Sequence, residues 1–107
     1  MAQTQNPLTT DLIIEKCKKN NFKEIKNINL WGSNLDDIQI IRQLTNLEVV
    51  SLSVNKISTL ADFAGCPRIQ ELYLRKNSIS DLNEVYHLQG LKYLKVLWLS
   101  DNPCAQE

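Results

Sequence analysis

One pattern recurs at a fixed interval along this chain and leaves little freedom about how it can fold. The segments Leu47-Glu-Val-Val-Ser-Leu-Ser-Val-Asn55-Lys-Ile57 and Ile69-Gln-Glu-Leu-Tyr-Leu-Arg-Lys-Asn77-Ser-Ile79 superimpose at an offset of 22 residues. The same step backwards gives Ile25 to Leu35, and a step of 25 forwards gives Leu94 to Cys104. Each unit reads L-x-x-L-x-L-x-x-N-x-L, with Ser33 replacing Asn in the first. Three further apolar positions recur in the first three units: Ile38, Leu60 and Leu82; Ile41, Phe63 and Val85; Leu44, Cys66 and Leu88. A unit this small cannot bury its own apolar face. Stacked copies can, each covering the next.

Within a unit the physics changes along the chain. Val50-x-Leu52, Leu72-x-Leu74 and Leu97-x-Leu99 alternate with the period of a short strand that has one buried face. After the strand the chain must turn and leave backbone groups without ladder partners. An Asn side chain both donates and accepts, so Asn55, Asn77 and Asn102 are expected to bond these groups in every coil, as a structural ladder. The later apolar residues recur every three positions, which suits a 3₁₀ turn or short helix on the outer side. The third unit is three residues longer, and its helix is predicted to lengthen around Asp81 to Gly90.

This pattern resembles that of leucine-rich repeats. The resemblance implies an α/β fold: a right-handed solenoid with a short parallel sheet on the concave face and 3₁₀ or short helices on the convex face. Residues 1–7 read as unstructured, and residues 8–107 as one domain with repeats starting near 25, 47, 69 and 94. Leu8, Leu12, Ile13 and Cys17 recur at helical spacing, predicting a capping helix over 8–22 that covers the first strand edge. Thr9 or Thr10 is its expected N-cap, and Asn20-Asn21 its expected left-handed stop. After Asn102-Pro-Cys104 no cap is expected, as for a piece excised from a longer protein.

Composition narrows the function. Leu, Ile, Val and Phe make up 33 of 107 residues, a folded chain's share. Lys plus Arg equals Asp plus Glu at 12 each, so a nucleic-acid partner held by bulk charge is not expected. No apolar run exceeds four residues, Val96 to Leu99, and no membrane insertion is expected. Cys17, Cys66 and Cys104 are widely spaced without a C-x-x-C, so a metal site is not expected. His87 is placed on a solvated convex helix away from the cysteines, and Gly32, Gly65 and Gly90 are too scattered for a phosphate loop. A non-enzymatic module without a cofactor is the expectation.

Four stretches carry a narrower resemblance: Leu30-Trp-Gly-Ser33, Leu52-Ser-Val-Asn55 through Leu60, Glu71-Leu-Tyr-Leu-Arg-Lys-Asn77, and Val96-Leu-Trp-Leu99 through Asn102-Pro-Cys104. In this order and spacing, from about Leu8 to Cys104, the chain resembles the cilia- and flagella-associated protein 410 family, also called the chromosome-twenty-one open-reading-frame-two family. The resemblance implies a protein of the cytoplasm, cytoskeleton and cilium or flagellum basal body, needed for cilium formation. It also implies a NIMA-related kinase complex as partner through the parent protein. The alternative is another intracellular adaptor of the same fold: axonemal dynein-associated, phosphatase-regulatory, or a small nuclear ribonucleoprotein subunit.

Strand alternation places the candidate surface. Residues flanking the buried pair of each strand point onto the concave face. They include Trp31 in the first unit; Val49 and Ser51 in the second; Glu71, Tyr73, Arg75 and Lys76 in the third; and Val96, Trp98 and Asp101 in the fourth. Both tryptophans of the chain are among them, and aromatic residues with Arg are what interface hot spots are made from. Tyr73 and Trp98 are expected to be adjacent, whereas Trp31 lies three strands, about 14 Å, from the Trp98 row. The piece by itself is expected to be monomeric and to bind its protein partner weakly.

Overall fold

Four strands carry the repeat: β1 Asn27–Asn29, β2 Val49–Ser51, β3 Glu71–Tyr73 and β4 Val96–Trp98. In this computed structural model, which describes residues 6–105, they form one parallel sheet in the order β1-β2-β3-β4. The register is Asn27, Val49, Glu71, Val96 in one row and Asn29, Ser51, Tyr73, Trp98 in another. Between those rows Ile28, Val50 and Leu72 point inward and are buried. The 22-residue step thus brings the same repeat position to the same height in successive coils.

Each coil returns through a 3₁₀ segment: Gln39–Gln43, Ala61–Gly65 and Leu82–Leu88. The last has seven residues against five in the other two, so the extra residues of the third unit do lengthen the outer helix. Spacing of three keeps Ile38, Ile41 and Leu44 on one side of a helix with three residues per turn, and Leu60, Phe63 and Cys66 repeat the arrangement. All six are buried.

The asparagine ladder closes each turn. The Asn55 side-chain amide donates to the Leu30 carbonyl of the preceding coil at 3.0 Å and to its own Leu52 at 2.9 Å, and its oxygen accepts from the Leu35 amide at 2.8 Å. Asn77 makes the equivalent bonds to Leu52, Leu74 and Ile57, and Asn102 those to Leu74, Leu99 and Ile79. These are backbone groups that the turn strips from the sheet, and each would be costly if left bare in the interior.

The N-terminal end differs from its sequence reading. Helix α1 spans Thr10–Cys17, with Thr9 as N-cap, and ends sooner than expected. Lys18 takes the left-handed conformation at φ 60°, its amide donating to the Ile14 carbonyl, so Asn20 and Asn21 are not the stop. Asn21 instead caps the 3₁₀ turn Phe22–Glu24 by accepting from the Lys23 amide at 3.0 Å. Eight residues give a helix of about 12 Å, long enough to seat Leu12, Ile13 and Cys17 against the core.

Of the segment 1–7, residues 1–5 lie outside the described residues. Asn6 and Pro7, read from sequence as part of an unstructured tail, are tied down. The Asn6 side chain donates to the Ser33 and Asn34 carbonyls, its backbone exchanges bonds with Asp36, and Pro7 bridges to Asp37. They stand where a preceding coil would satisfy the first turn, which has Ser33 and no ladder asparagine of its own.

The third outer helix brings a second correction. Leu82 occupies the repeat position of Ile38 and Leu60, yet it is 57% exposed where they are 2% and 0%. A residue of the convex stripe is buried by the coil stacked beyond it. Among the described residues the only helix beyond Leu82–Leu88 is the three-residue 3₁₀ turn Pro103–Ala105, which directly follows the ladder asparagine Asn102 and falls short of the outer-helix positions.

Candidate functional site

The concave face is built from the outward rows of the four strands and from the residues just after them. Trp31 follows β1 and is 62% exposed; Trp98 ends β4 and is 55% exposed. Tyr73 pairs in register with Trp98 and with Ser51. Its ring meets that of Trp98 edge to face, with centroids 5.1 Å apart and planes at 86°. Aromatic pairs favour this geometry because the positive edge of one ring meets the negative face of the other.

Two polar contacts, which periodicity does not reveal, shape the rest. The Tyr73 hydroxyl donates to the Glu71 carboxylate two residues earlier, a bond that raises the phenol above its ordinary pKa because ionisation would remove the proton Glu71 holds. Arg75 pairs with Asp101 of the next coil at 3.0 Å, with both side chains about half exposed. Lys76 and Asp101 lie beyond the strands, at φ 58° and 61°, in the tight turn that precedes each ladder asparagine. Val49 and Val96 flank Glu71 in register and are half-buried.

The ten sequence-derived surface residues therefore divide. Val49, Ser51, Glu71, Tyr73, Val96 and Trp98 form one continuous area over β2 to β4; Arg75, Lys76 and Asp101 form a charged rim above it; Trp31 stands apart over β1. Ser53 and Val54 belong to the same face. Ser53 is 8% exposed, and Val54 holds φ 61°, unusual for a β-branched residue. Strand alternation carries no sign of either property.

Other chemistry-bearing groups are scattered or engaged. Cys66 is buried and its thiol is pushed up to about 11, chiefly by burial, with the Asp62 carboxylate adding to it. Burial also raises the Cys17 thiol, against the opposing pull of Lys19. Asp62 is buried and receives the Arg42 guanidinium at 2.7 Å. Glu84 accepts from the Thr59 hydroxyl at 2.8 Å and the Leu60 amide at 2.9 Å, and these bonds to its charged form lower its pKa. His87 is exposed on the outer helix. Among the described residues no group of three or more His, Cys, Asp or Glu converges to hold a metal ion, and no helix is long and apolar enough to cross a membrane.

Comparison with known proteins follows the same lines. Residues 23–79 match the leucine rich repeat family. The chain is 45% identical over 98 residues to mouse (Mus musculus) cilia- and flagella-associated protein 410, a match covering 92% of this chain and 39% of the mouse protein. The human (Homo sapiens) protein of that name is also 45% identical over 98 residues, again covering 92% of this chain, and 38% of the human one. Among solved structures, an internalin of Listeria monocytogenes superimposes with a TM-score of 0.75 at 25% identity, covering 87% of this chain and 29% of the internalin.

Proposed function

The chain belongs to the leucine-rich repeat family and is a protein-interaction module, and from that premise we propose that it serves a cilium- or flagellum-associated protein by holding a protein partner on its concave face. The observation that carries the reading is the exposed aromatic surface of this face, centred on Trp98 and its partner Tyr73. Both tryptophans, each more than half exposed, lie on one side of a four-stranded sheet, and one of them is braced against Tyr73. Large exposed aromatics cost solubility unless a partner covers them, and they supply the strongest contacts when it does. Likeness to the cilia- and flagella-associated protein 410 sequences supports a cilium or flagellum as the setting; a place at the basal body and a part in cilium formation belong to the proposal. This chain spans less than two-fifths of either relative, so a kinase complex is proposed for the parent protein as a whole.

Four strands at about 4.8 Å spacing give a sheet roughly 19 Å wide, room for one helix or one extended segment. That is smaller than the roughly 800 Å² each partner contributes to a standard interface, so binding by this piece alone is weak. The test replaces Tyr73 and Trp98 together by Ala. Folding should be retained, because both rings lie outside the core, while partner capture from ciliated cells should be lost. Capture unchanged from wild type would sink the reading.

A further inference from the structure

We propose that Glu71, Tyr73 and Trp98, collared by Val49 and Val96, form a subsite for a cationic side chain, Lys or Arg, of the protein partner. The inference rests on the concave-face reading and adds the chemistry of what is bound. Glu71 is half-buried on that face, and its row neighbours in the sheet are Val49 and Val96. Among the described residues no Lys, Arg or His nitrogen comes within 4.0 Å of its carboxylate. Its hydrogen-bond partner is the neutral Tyr73 hydroxyl. The cation just past the end of this strand, Arg75, is already engaged by Asp101.

A carboxylate set among apolar side chains without a counter-charge has lost part of its hydration without gaining an ion pair. A partner's cation would restore what is missing. The surroundings suit a long basic side chain in particular. Its aliphatic stem can lie on the two valines while its charged head reaches the carboxylate. The rings of Tyr73 and Trp98 stand edge to face beside this carboxylate's strand, and an aromatic face that a cation can reach adds to its attraction. Because the Tyr73 hydroxyl is anchored on Glu71, the carboxylate also fixes the ring orientation, so the corner exists before binding and little ordering remains to be done. An acidic partner segment would meet like charge at the same place.

The experiment titrates the chain with an acetylated hexa-arginine amide and, separately, with hexa-glutamate, following the two indole N–H signals by NMR. A Trp31→Phe variant assigns which signal is Trp98. The expected result is a saturable shift of the Trp98 signal with the arginine peptide and none with the glutamate peptide. Glu71→Gln keeps an acceptor for the Tyr73 hydroxyl and removes the charge; it should weaken arginine-peptide binding about ten-fold, or 1.4 kcal/mol. Glu15→Gln, which removes an exposed carboxylate on α1, should leave that binding unchanged. Near-UV circular dichroism of the Tyr73 and Trp98 pair checks that each variant keeps the corner. Equal affinity of Glu71→Gln and wild type, an unmoved Trp98 signal, or an equal loss of binding in Glu15→Gln would overturn the subsite. Partner capture that still needs Tyr73 and Trp98 would then leave the broader reading standing, whereas capture independent of them would remove both.

Discussion

The two ends of this solenoid contain the same repeat positions and treat them in opposite ways. In the first coil Ile25, Ile28, Leu30 and Leu35 are 1%, 4%, 0% and 1% exposed, as deeply buried as their counterparts in the middle of the stack. In the fourth, Leu94, Leu97, Leu99 and Cys104 are only partly buried, and Leu82 and Val85 of the outer helix before them are exposed or half-exposed. The first coil is covered by α1 and by the arm Asn6–Leu8, with Leu8 and Ile13 in the core. Burial in a repeat protein is thus a property of the neighbour as much as of the residue.

The sharpest way to break this comparison is one substitution made twice. Leu60 and Leu82 are the same residue at the same repeat position, 0% and 57% exposed. Leu60→Ala removes side-chain volume from a closed core and should cost about 2–5 kcal/mol by urea unfolding. Leu82→Ala should change stability by no more than about 0.5 kcal/mol. Similar losses at both sites would mean that Leu82 is covered in solution and that the end is not open.

How far this was legible in the sequence follows from the same contrast. The strands, the outer turns and the ladder repeat, so their signal is multiplied by the number of coils, and Val50, Leu72 and Asn77 could each be placed from spacing alone. Leu82 fits the repeat equally well, yet its exposure depends on a neighbouring coil that spacing within the unit cannot show. Asn6 and Pro7 failed in the other direction. Their partners at Ser33, Asn34, Asp36 and Asp37 lie some thirty positions away and occur once, so nothing periodic marks them. At the candidate site, alternation placed Glu71 and Tyr73 on one face, but the bond between them depends on side-chain rotamers, to which a pattern of apolar positions is blind.

A second pair of variants compares the ways the coils satisfy their turns. Asn77→Ala takes one of two asparagine donors from each of the Leu52 and Leu74 carbonyls and leaves the Ile57 amide bare, all in the interior, and should cost about 2–3 kcal/mol. Asn6→Ala removes exposed bonds to Ser33 and Asn34 and should cost about 1 kcal/mol. Hydrogen exchange should separate them. Asn77→Ala loosens the central coils, and Asn6→Ala loosens the first coil and Leu8. If Asn6→Ala left first-coil exchange unchanged, α1 alone would be the cover.

The outer faces can be compared through pH. Glu84, on the exposed third helix, reaches back to Thr59 and Leu60, tying the last outer helix to the one before it. His87, 3.6 Å away, also faces it. The Glu84 pKa is lowered from 4.5 on folding, chiefly by the Leu60 amide, so the stabilisation Glu84 brings is present above about 4.5 and is lost as pH falls through the lower folded value. The free energy of unfolding should fall further between about pH 6 and pH 3 in wild type than in Glu84→Gln. An identical pH dependence in the two would detach the third outer helix from this pairing.

The smallest effect tests whether the coils are otherwise alike. Gly32 and Val54 occupy equivalent turn positions at φ 65° and 61°. A Cβ added at Gly32 meets nothing within 4 Å, so replacing the glycine chiefly tests backbone strain. Gly32→Val should destabilise by about 1 kcal/mol, and Val54→Asn, which relieves the same strain, should stabilise by about 0.5 kcal/mol. The first figure requires the loop Ser33–Asn34 to be held in place, as the Asn6 side chain holds it. Were Gly32→Val neutral while Val54→Asn still stabilised, the first turn would be free to relax where the second is not. Repeating Gly32→Val in an Asn6→Ala background then decides the cause: a smaller penalty there would show that the arm imposes the left-handed turn, and an unchanged one that the sheet does.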